Sequence, residues 1–213
     1  MTRFYDPWES ATPLVREKTI RRRLKDYVRF SRESLPFYRE RLSRFNSKAD
    51  HPLARVSPLR SDDLRELLPP KGRGLIVSRE QGYTVFQSGG TTGFPKTTLF
   101  SHQELEALFL PNARGFHALG LRREDRVANL FAVGGLYMTY LHIHRALEDY
   151  GCMNFPFSNQ TPVDFVHTMA RLFKINCIAG IASVAIHFLR GMEKIGLKGV
   201  RIEKLLYGGE HLY

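Results

Sequence analysis

From residue 126 onward the hydrophobic pattern changes period at regular intervals. Short apolar runs at Arg126–Phe131, Cys152–Phe155, Lys174–Ala179 and Lys204–Tyr207 read as strands. The stretches between them carry helix start and stop signals. Leu136–Tyr150 ends before Gly151, a capped helix opens at Thr161-Pro162-Val163-Asp164, and Ser183–Ile195 ends before Gly196. Strands that alternate with helices in this way build right-handed βαβ crossovers and a parallel sheet. The pattern therefore predicts an α/β fold.

The chain before this point is patterned differently. Thr12-Pro13 supplies an N-cap and a first-turn proline, after which Ile20, Leu24, Tyr27 and Val28 form one apolar stripe among basic residues. Pro36 opens a second helix, with Phe37, Leu42 and Phe45 available for burial, and Ser61 caps a short helix ended by Pro69-Pro70. Leu75–Ser78 and Tyr83–Phe86 read as strands, as does Thr97–Phe100. Ser101 and Glu104 form a capping-box pattern for a helix that runs to about Leu119 and stops at Gly120. Two regions result: a helical lead-in over residues 1–70 and an α/β region over 71–213.

Composition narrows the class. With 213 residues, 43% of them hydrophobic, the chain can bury a sizeable core. It has no apolar run near the roughly 20 residues that span a bilayer and no signal pattern at its start, which predicts a cytoplasmic protein with no membrane partner. Cys152 and Cys177 lack metal-ligand spacing and lie in apolar runs, so buried free thiols are expected and no metal site is assigned. Of the net charge of +11, residues 1–60 carry 15 Lys/Arg against 7 Asp/Glu, densest at Arg21-Arg22-Arg23-Leu24-Lys25. A solvated helix face accounts for that run, and a surface for nucleic acid or an acidic partner is the alternative. No zinc-finger, helix-turn-helix or RNP-type pattern accompanies it, which argues against nucleic acid.

Candidate chemistry concentrates in Gln87-Ser88-Gly89-Gly90-Thr91-Thr92-Gly93-Phe94-Pro95-Lys96. Glycines let backbone N–H groups approach a ligand closely, hydroxyls add donors, and Lys96 adds positive charge, a combination that suits a polyphosphate. The spacing is not that of a P-loop, because Phe94 follows five residues after Gly89 and no Gly-Lys-Ser/Thr appears. The strand-like flanks make it the tip of a β-hairpin, and a ligand-free glycine turn is the competing reading. Two glycine pairs, Gly134-Gly135 and Gly208-Gly209, follow predicted strands on the edge where open α/β sheets bind ligands. Each alone is an ordinary strand-to-helix turn; together they suggest a shared cleft. His142 and His144 receive no role.

Ser88-Gly89-Gly90-Thr91-Thr92-Gly93-Phe94-Pro95-Lys96 resembles the phosphate-binding signature of the adenylate-forming (acyl-CoA synthetase) superfamily. The closest likeness is to the phenylacetate-CoA ligase and coenzyme F390 synthetase-like branch, with Gly89 where a second Ser or Thr often stands. Leu35-Pro36-Phe37-Tyr38-Arg39-Glu40-Arg41-Leu42 is similar to the N-terminal helices of phenylacetate-CoA ligases. The resemblance implies ATP, Mg²⁺ and coenzyme A as cofactors and a small carboxylic acid as substrate. It implies that Ser88, Gly89, Gly90, Thr91, Thr92, Gly93 and Lys96 hold phosphates and that Gly208, Gly209 and Glu210 contact the nucleotide. Phe131, Gly134, Gly135 and Tyr137 would shape the acyl pocket. No side chain is assigned as a catalytic residue, because the reaction rests on positioning and charge neutralisation.

Members of that family are about twice as long as this chain. The resemblance therefore implies an incomplete nucleotide-binding domain, the N-terminal part of the family fold. Such a polypeptide is expected to be inactive alone, as either a truncated gene product or half of a split enzyme whose C-terminal half is separately encoded, and an uncovered sheet edge would favour association, as in a homo-oligomer, or instability. Two other functions are compatible with the residues: a non-catalytic nucleotide- or acyl-binding module, and a basic interaction protein working through residues 16–44.

Overall fold

The computed structural model describes residues 4–76, 82–89 and 95–211. These residues group into two compact units, Asp6–His102 and the rest, chiefly Gln103 onward. The sequence pattern drew its line at residue 70; in the structure the hairpin after residue 82 groups with the helices that precede it.

In the first unit a 3-10 turn (Pro7–Ser10) is closed by Asp6, whose side chain accepts from the Trp8 amide at 2.8 Å while Glu9 accepts from the Asp6 amide at 3.1 Å. Helix α1 (Pro13–Ser34) starts as its sequence predicts, with Thr12 Oγ1 accepting from the Val15 amide. It ends at Leu35, where the following proline disfavours helical backbone, and α2 (Pro36–Arg41) begins at once. The α3 helix (Ser61–Leu67) is capped by Asp63, which accepts from the Arg60 amide at 2.9 Å. Leu75 and Ile76 do not extend into a strand; the Ile76 amide closes a turn onto the Arg73 carbonyl, and residues 77–78 lie outside the described residues. Strands β1 (Tyr83–Gln87) and β2 (Thr97–Ser101) pair antiparallel, with Gln87 opposite Thr97.

In the second unit α4 (His102–Ala118) leads to β3 (Arg126–Asn129), α5 (Thr139–Tyr150), β4 (Met153–Phe155), α6 (Val163–Phe173), β5 (Cys177–Gly180), α7 (Ala182–Ile195) and β6 (Lys204–Tyr207). The four strands form a parallel sheet in the order β4-β3-β5-β6. One face buries Val127, Phe131, Cys177 and Ala179 against Phe109 and Phe116 of α4 and Leu147 of α5. The other buries Ala128, Leu130 and Ile178 against Val166 of α6 and Phe188 and Met192 of α7. Alternate residues of each strand thus serve opposite layers, as a sheet covered on both sides requires. Both cysteines are free and buried, and burial pushes each thiol up to about 12, so neither is a nucleophile at neutral pH.

Two element starts differ from the sequence pattern by three residues. Helix α5 begins at Thr139 rather than Leu136, because Gly134, Gly135 and Leu136 all have positive φ, a left-handed backbone that cannot enter a right-handed helix. Strand β5 begins at Cys177 rather than Lys174. Lys174 (φ 55°) is the left-handed end of α6, and the Ile175 amide returns to the Ala170 carbonyl.

Beneath the sheet, at the strand N-termini, Asp125 is 2% exposed and bound by Lys204 Nζ at 2.5 Å and Asn176 Nδ2 at 2.8 Å. The Arg122 amide adds a third bond at 2.7 Å. Burial pushes this carboxyl up, but those three donors and the Lys204 charge outweigh it and hold the group below its ordinary value. The cluster joins the ends of β3, β5 and β6.

Candidate functional site

The chain leaves β3 for β4 on one side of the sheet and later returns to place β5 on the other side of β3. The C-terminal ends of β3 and β5 therefore flank a topological switch point, where crevices form in open α/β sheets. A cleft of about 300 Å³ opens at this edge. Phe131 beyond β3, Ala179 and Ile181 around the end of β5, and Leu206, Gly208 and Gly209 at the end of β6 line it. Phe116 of α4, Leu119 just beyond that helix, and Thr139 and Ile143 of α5 complete its wall, so the lining is largely apolar.

Of the residues predicted from sequence, Phe131, Gly208 and Gly209 come together here. Gly134, Gly135 and Tyr137 do not line the cleft. They form the left-handed turn before α5, closed by the Tyr137 amide on the Gly134 carbonyl at 3.1 Å. A Cβ on Gly135 would meet the Tyr137 ring at 3.3 Å, so this turn leaves little room for any other residue there.

Gly209 (φ +86°) turns the chain after β6, a conformation that side chains rarely adopt. Glu210 then reaches back to α7. Its Oε2 accepts from the Ser183 amide at 2.9 Å, and bonds from the Ser183 hydroxyl and amide hold the carboxyl below its ordinary value. Helix α7 has no side-chain cap of its own at Ile181, so Glu210 supplies one. The Gly208-Gly209 strap is thereby tied at both ends, by β6 pairing and by this cap.

Asn129 was not singled out in the sequence. It is fully buried at the end of β3, where its Nδ2 donates to the Tyr140 carbonyl and its Oδ1 accepts from the Phe131 amide, both at 3.3 Å. It fixes Phe131 and the start of α5 on either side of the cleft. The available signal was a lone amide inside the apolar run Val127-Ala128-Asn129-Leu130-Phe131, since a polar group on a doubly covered strand must be bonded.

In the other unit, the base of the glycine-rich hairpin is well defined. The Ser88 amide donates to the Lys96 carbonyl at 3.0 Å, and the Lys96 amide returns a bond to Ser88 Oγ at 3.0 Å. Gln87 Nε2 adds a bond to Thr97 Oγ1 at 3.1 Å. Ser88 and Gly89 are exposed, and a Cβ on Gly89 would meet nothing within 4 Å. Gly90, Thr91, Thr92 and Gly93 lie outside the described residues.

Among the described residues no group of three or more His, Cys, Asp and Glu could hold a metal ion. No helix among them is long and apolar enough to cross a membrane. His142 packs on the Phe109 ring and contacts Asn112, and His144 stacks on Tyr140 and meets Asn154 Nδ2 at 2.7 Å, so both are engaged in packing.

No protein-family model matches the chain. It is 29% identical over 184 residues to a phenylacetate-coenzyme A ligase of Aromatoleum evansii, covering 82% of this chain and 40% of that protein. A phenylacetate-coenzyme A ligase of Pseudomonas putida is 26% identical over 159 residues, covering 72% and 35%. The fold superposes on a 2-hydroxyisobutyryl-CoA ligase in an open conformation with 2-HIB-AMP and CoA, with a TM-score of 0.82 and 24% identity over 99% of this chain and 51% of that one. The same ligase in its thioesterification state gives 0.81 and 26% over 98% and 46%. The chain thus spans 40% and 35% of the lengths of these two curated relatives. In sequence and in fold alike, it is similar to the N-terminal part of adenylate-forming acyl-CoA ligases of the phenylacetate-CoA ligase kind.

Proposed function

We propose that the protein takes part in ATP-dependent activation of a small carboxylic acid, followed by transfer of the acyl group to the thiol of coenzyme A. A carboxylate oxygen attacks the α-phosphorus of ATP as the bond to pyrophosphate breaks, giving an acyl-adenylate. The thiolate then attacks the acyl carbon and AMP leaves. The observation that carries this reading is the apolar cleft at the sheet's switch point, crossed by the Gly208-Gly209 strap. A solved relative of the same fold holds an acyl-AMP and CoA.

Each residue's part follows from its chemistry. The Gly208-Gly209 backbone, free of side chains, presents peptide edges to a purine, and Glu210 holds that backbone in place through α7. Phe131 offers an apolar wall to the acyl group, with Gly134, Gly135 and Tyr137 shaping the approach. Ser88, Gly89 and Lys96, with the segment Gly90, Thr91, Thr92 and Gly93, would hold phosphate oxygens by amide, hydroxyl and ammonium donors. Mg²⁺ bound to those oxygens would neutralise charge that moves onto pyrophosphate. No protein nucleophile is required, in keeping with two inert thiols.

Carboxylate-dependent exchange of labelled pyrophosphate into ATP is the direct test. It is measured on this chain alone and on this chain supplemented with a polypeptide carrying the remainder of the relatives' fold. Exchange in either sample supports the proposal, and Gly209→Val should lower it by about tenfold or more, because strain at a left-handed position displaces the strap. Nucleotide binding with no exchange in both samples would instead establish a binding module.

A further inference from the structure

The helical unit contains a second feature that the proposed reaction does not use. A groove of about 650 Å³ runs between α1, α2 and the segment after α2. Lys25, Arg29 and Arg32 enter it from one face of α1, Arg39 from α2 and Lys48 from the following segment, against a single carboxylate, Glu33. Lys25, Arg29 and Arg32 recur at four and three residues, so they stand in one row roughly 10 Å long. Arg29 has a weak exposed pair with Asp26 at 3.3 Å. Lys25, Arg32, Arg39 and Lys48 have no carboxylate within 4.0 Å among the described residues.

A solvated basic helix normally pairs its cations along its own surface, as Arg21 does with Glu17 at 3.0 Å one turn earlier. Here the cations instead face a concavity whose apolar part comes from Val28 and Phe45 and whose remaining donors come from Asn46 and Ser47. Its volume falls inside the range of about 300–1,000 Å³ typical of small-ligand sites. Three of the five cations are arginines, whose planar forks match phosphate oxygens two at a time. Five positive charges converging on so small a space repel one another at a cost that an anion relieves.

We propose that this groove is a binding site for a small organic anion carrying two or more phosphate groups, independent of the phosphate role proposed for the hairpin. Size favours a small ligand over a nucleic acid, whose phosphates need an extended surface. The apolar floor favours an organic phosphate over inorganic phosphate alone.

Calorimetric titration with sodium tripolyphosphate and, separately, with ATP tests it at about 0.15 M ionic strength, where charges more than about 8 Å away are largely screened. The protein carries Lys96→Ala to weaken hairpin binding, and the groove substitutions separate the two contributions. Saturable one-to-one binding of either probe is expected. The pair Arg32→Gln with Arg39→Gln should weaken it by about tenfold or more, since each removes a charge-assisted bond. The pair Arg16→Gln with Lys198→Gln removes the same charge away from the groove and should change affinity less than about twofold. Circular dichroism confirms that the variants fold. The proposal is overturned by unsaturable binding, by equal losses in the two pairs, or by an affinity for single-stranded DNA that exceeds both probes and rises with oligonucleotide length.

Discussion

In α1, 22 residues bury only Val28 and Ser31, whereas the 14 residues of α7 bury Ala182, Ala185, Phe188 and Met192. The same contrast runs through the two units. Among the described residues the largest fully buried side chains, from Phe188 to Cys177, all lie beyond residue 120. The helical unit exposes Leu14, Ile20, Tyr27 and Phe30, and it is tied together by polar bonds. Arg21 donates to the Ala49 carbonyl at 2.8 Å and to the Asp50 carbonyl at 3.3 Å, while Arg41 donates to the Ser57 and Pro58 carbonyls. Packing sets the geometry of the cleft, and arginine tethers set the geometry of the basic groove. Screening by salt acts on charged groups such as those of the second more than on apolar packing.

The largest effect that would sharpen this contrast is at Phe188, which is 1% exposed in the α6–α7 layer. Phe188→Ala should cost about 3–5 kcal/mol in urea denaturation. Ile20→Ala, at 57% exposure, should stay within about 0.5 kcal/mol. A comparable loss at Ile20 would break the comparison, because it would reveal a packed face on α1.

Asp125→Asn comes next. It leaves the Lys204 ammonium beside a neutral amide and should cost about 3 kcal/mol. The sign of its pH dependence follows from the lowered carboxyl. Its contribution is complete above the ordinary carboxylate value near pH 4 and is lost as pH falls through the lower folded value. Urea midpoints of the wild type should therefore fall steeply below about pH 4, and Asp125→Asn should flatten that limb. An unchanged slope in the variant would remove Asp125 as its source.

The smallest change is Arg21→Ala, which removes two carbonyl bonds from a partly exposed side chain and should cost about 1 kcal/mol. The loss should shrink at high salt, as the Glu17 pairing and the surrounding charge are screened. Limited proteolysis near Ala49 and Asp50 is the matching readout. If cleavage there does not rise, the tether holds nothing in place.

Much of the α/β unit was legible because its signals are local. Gly151 and Gly196 stop α5 and α7 where the sequence places them, and Thr12-Pro13 starts α1. The misplaced starts, Leu136 and Lys174, share one cause. Both residues hold positive φ, which no side-chain preference announces outside glycine and asparagine. At the site, the glycine pairs were visible as a residue type, but their separate fates were not. Gly208 and Gly209 line the cleft while Gly134 and Gly135 form a turn outside its lining. Glu210 stood out as the last residue of a motif, yet its bond to Ser183 joins positions 27 apart.

What the order of residues determined on its own was the sequence of helices and strands from β1 onward, the glycine-rich hairpin and the likeness to acyl-CoA ligases, because period, capping and motif spacing act over a few positions. Folding in three dimensions decided the strand order β4-β3-β5-β6, the burial of Asn129, the Asp125–Lys204 bond and the gathering of five cations around one groove. Those depend on which distant segments meet, and the free energy that selects such meetings belongs to the packed whole rather than to any one stretch.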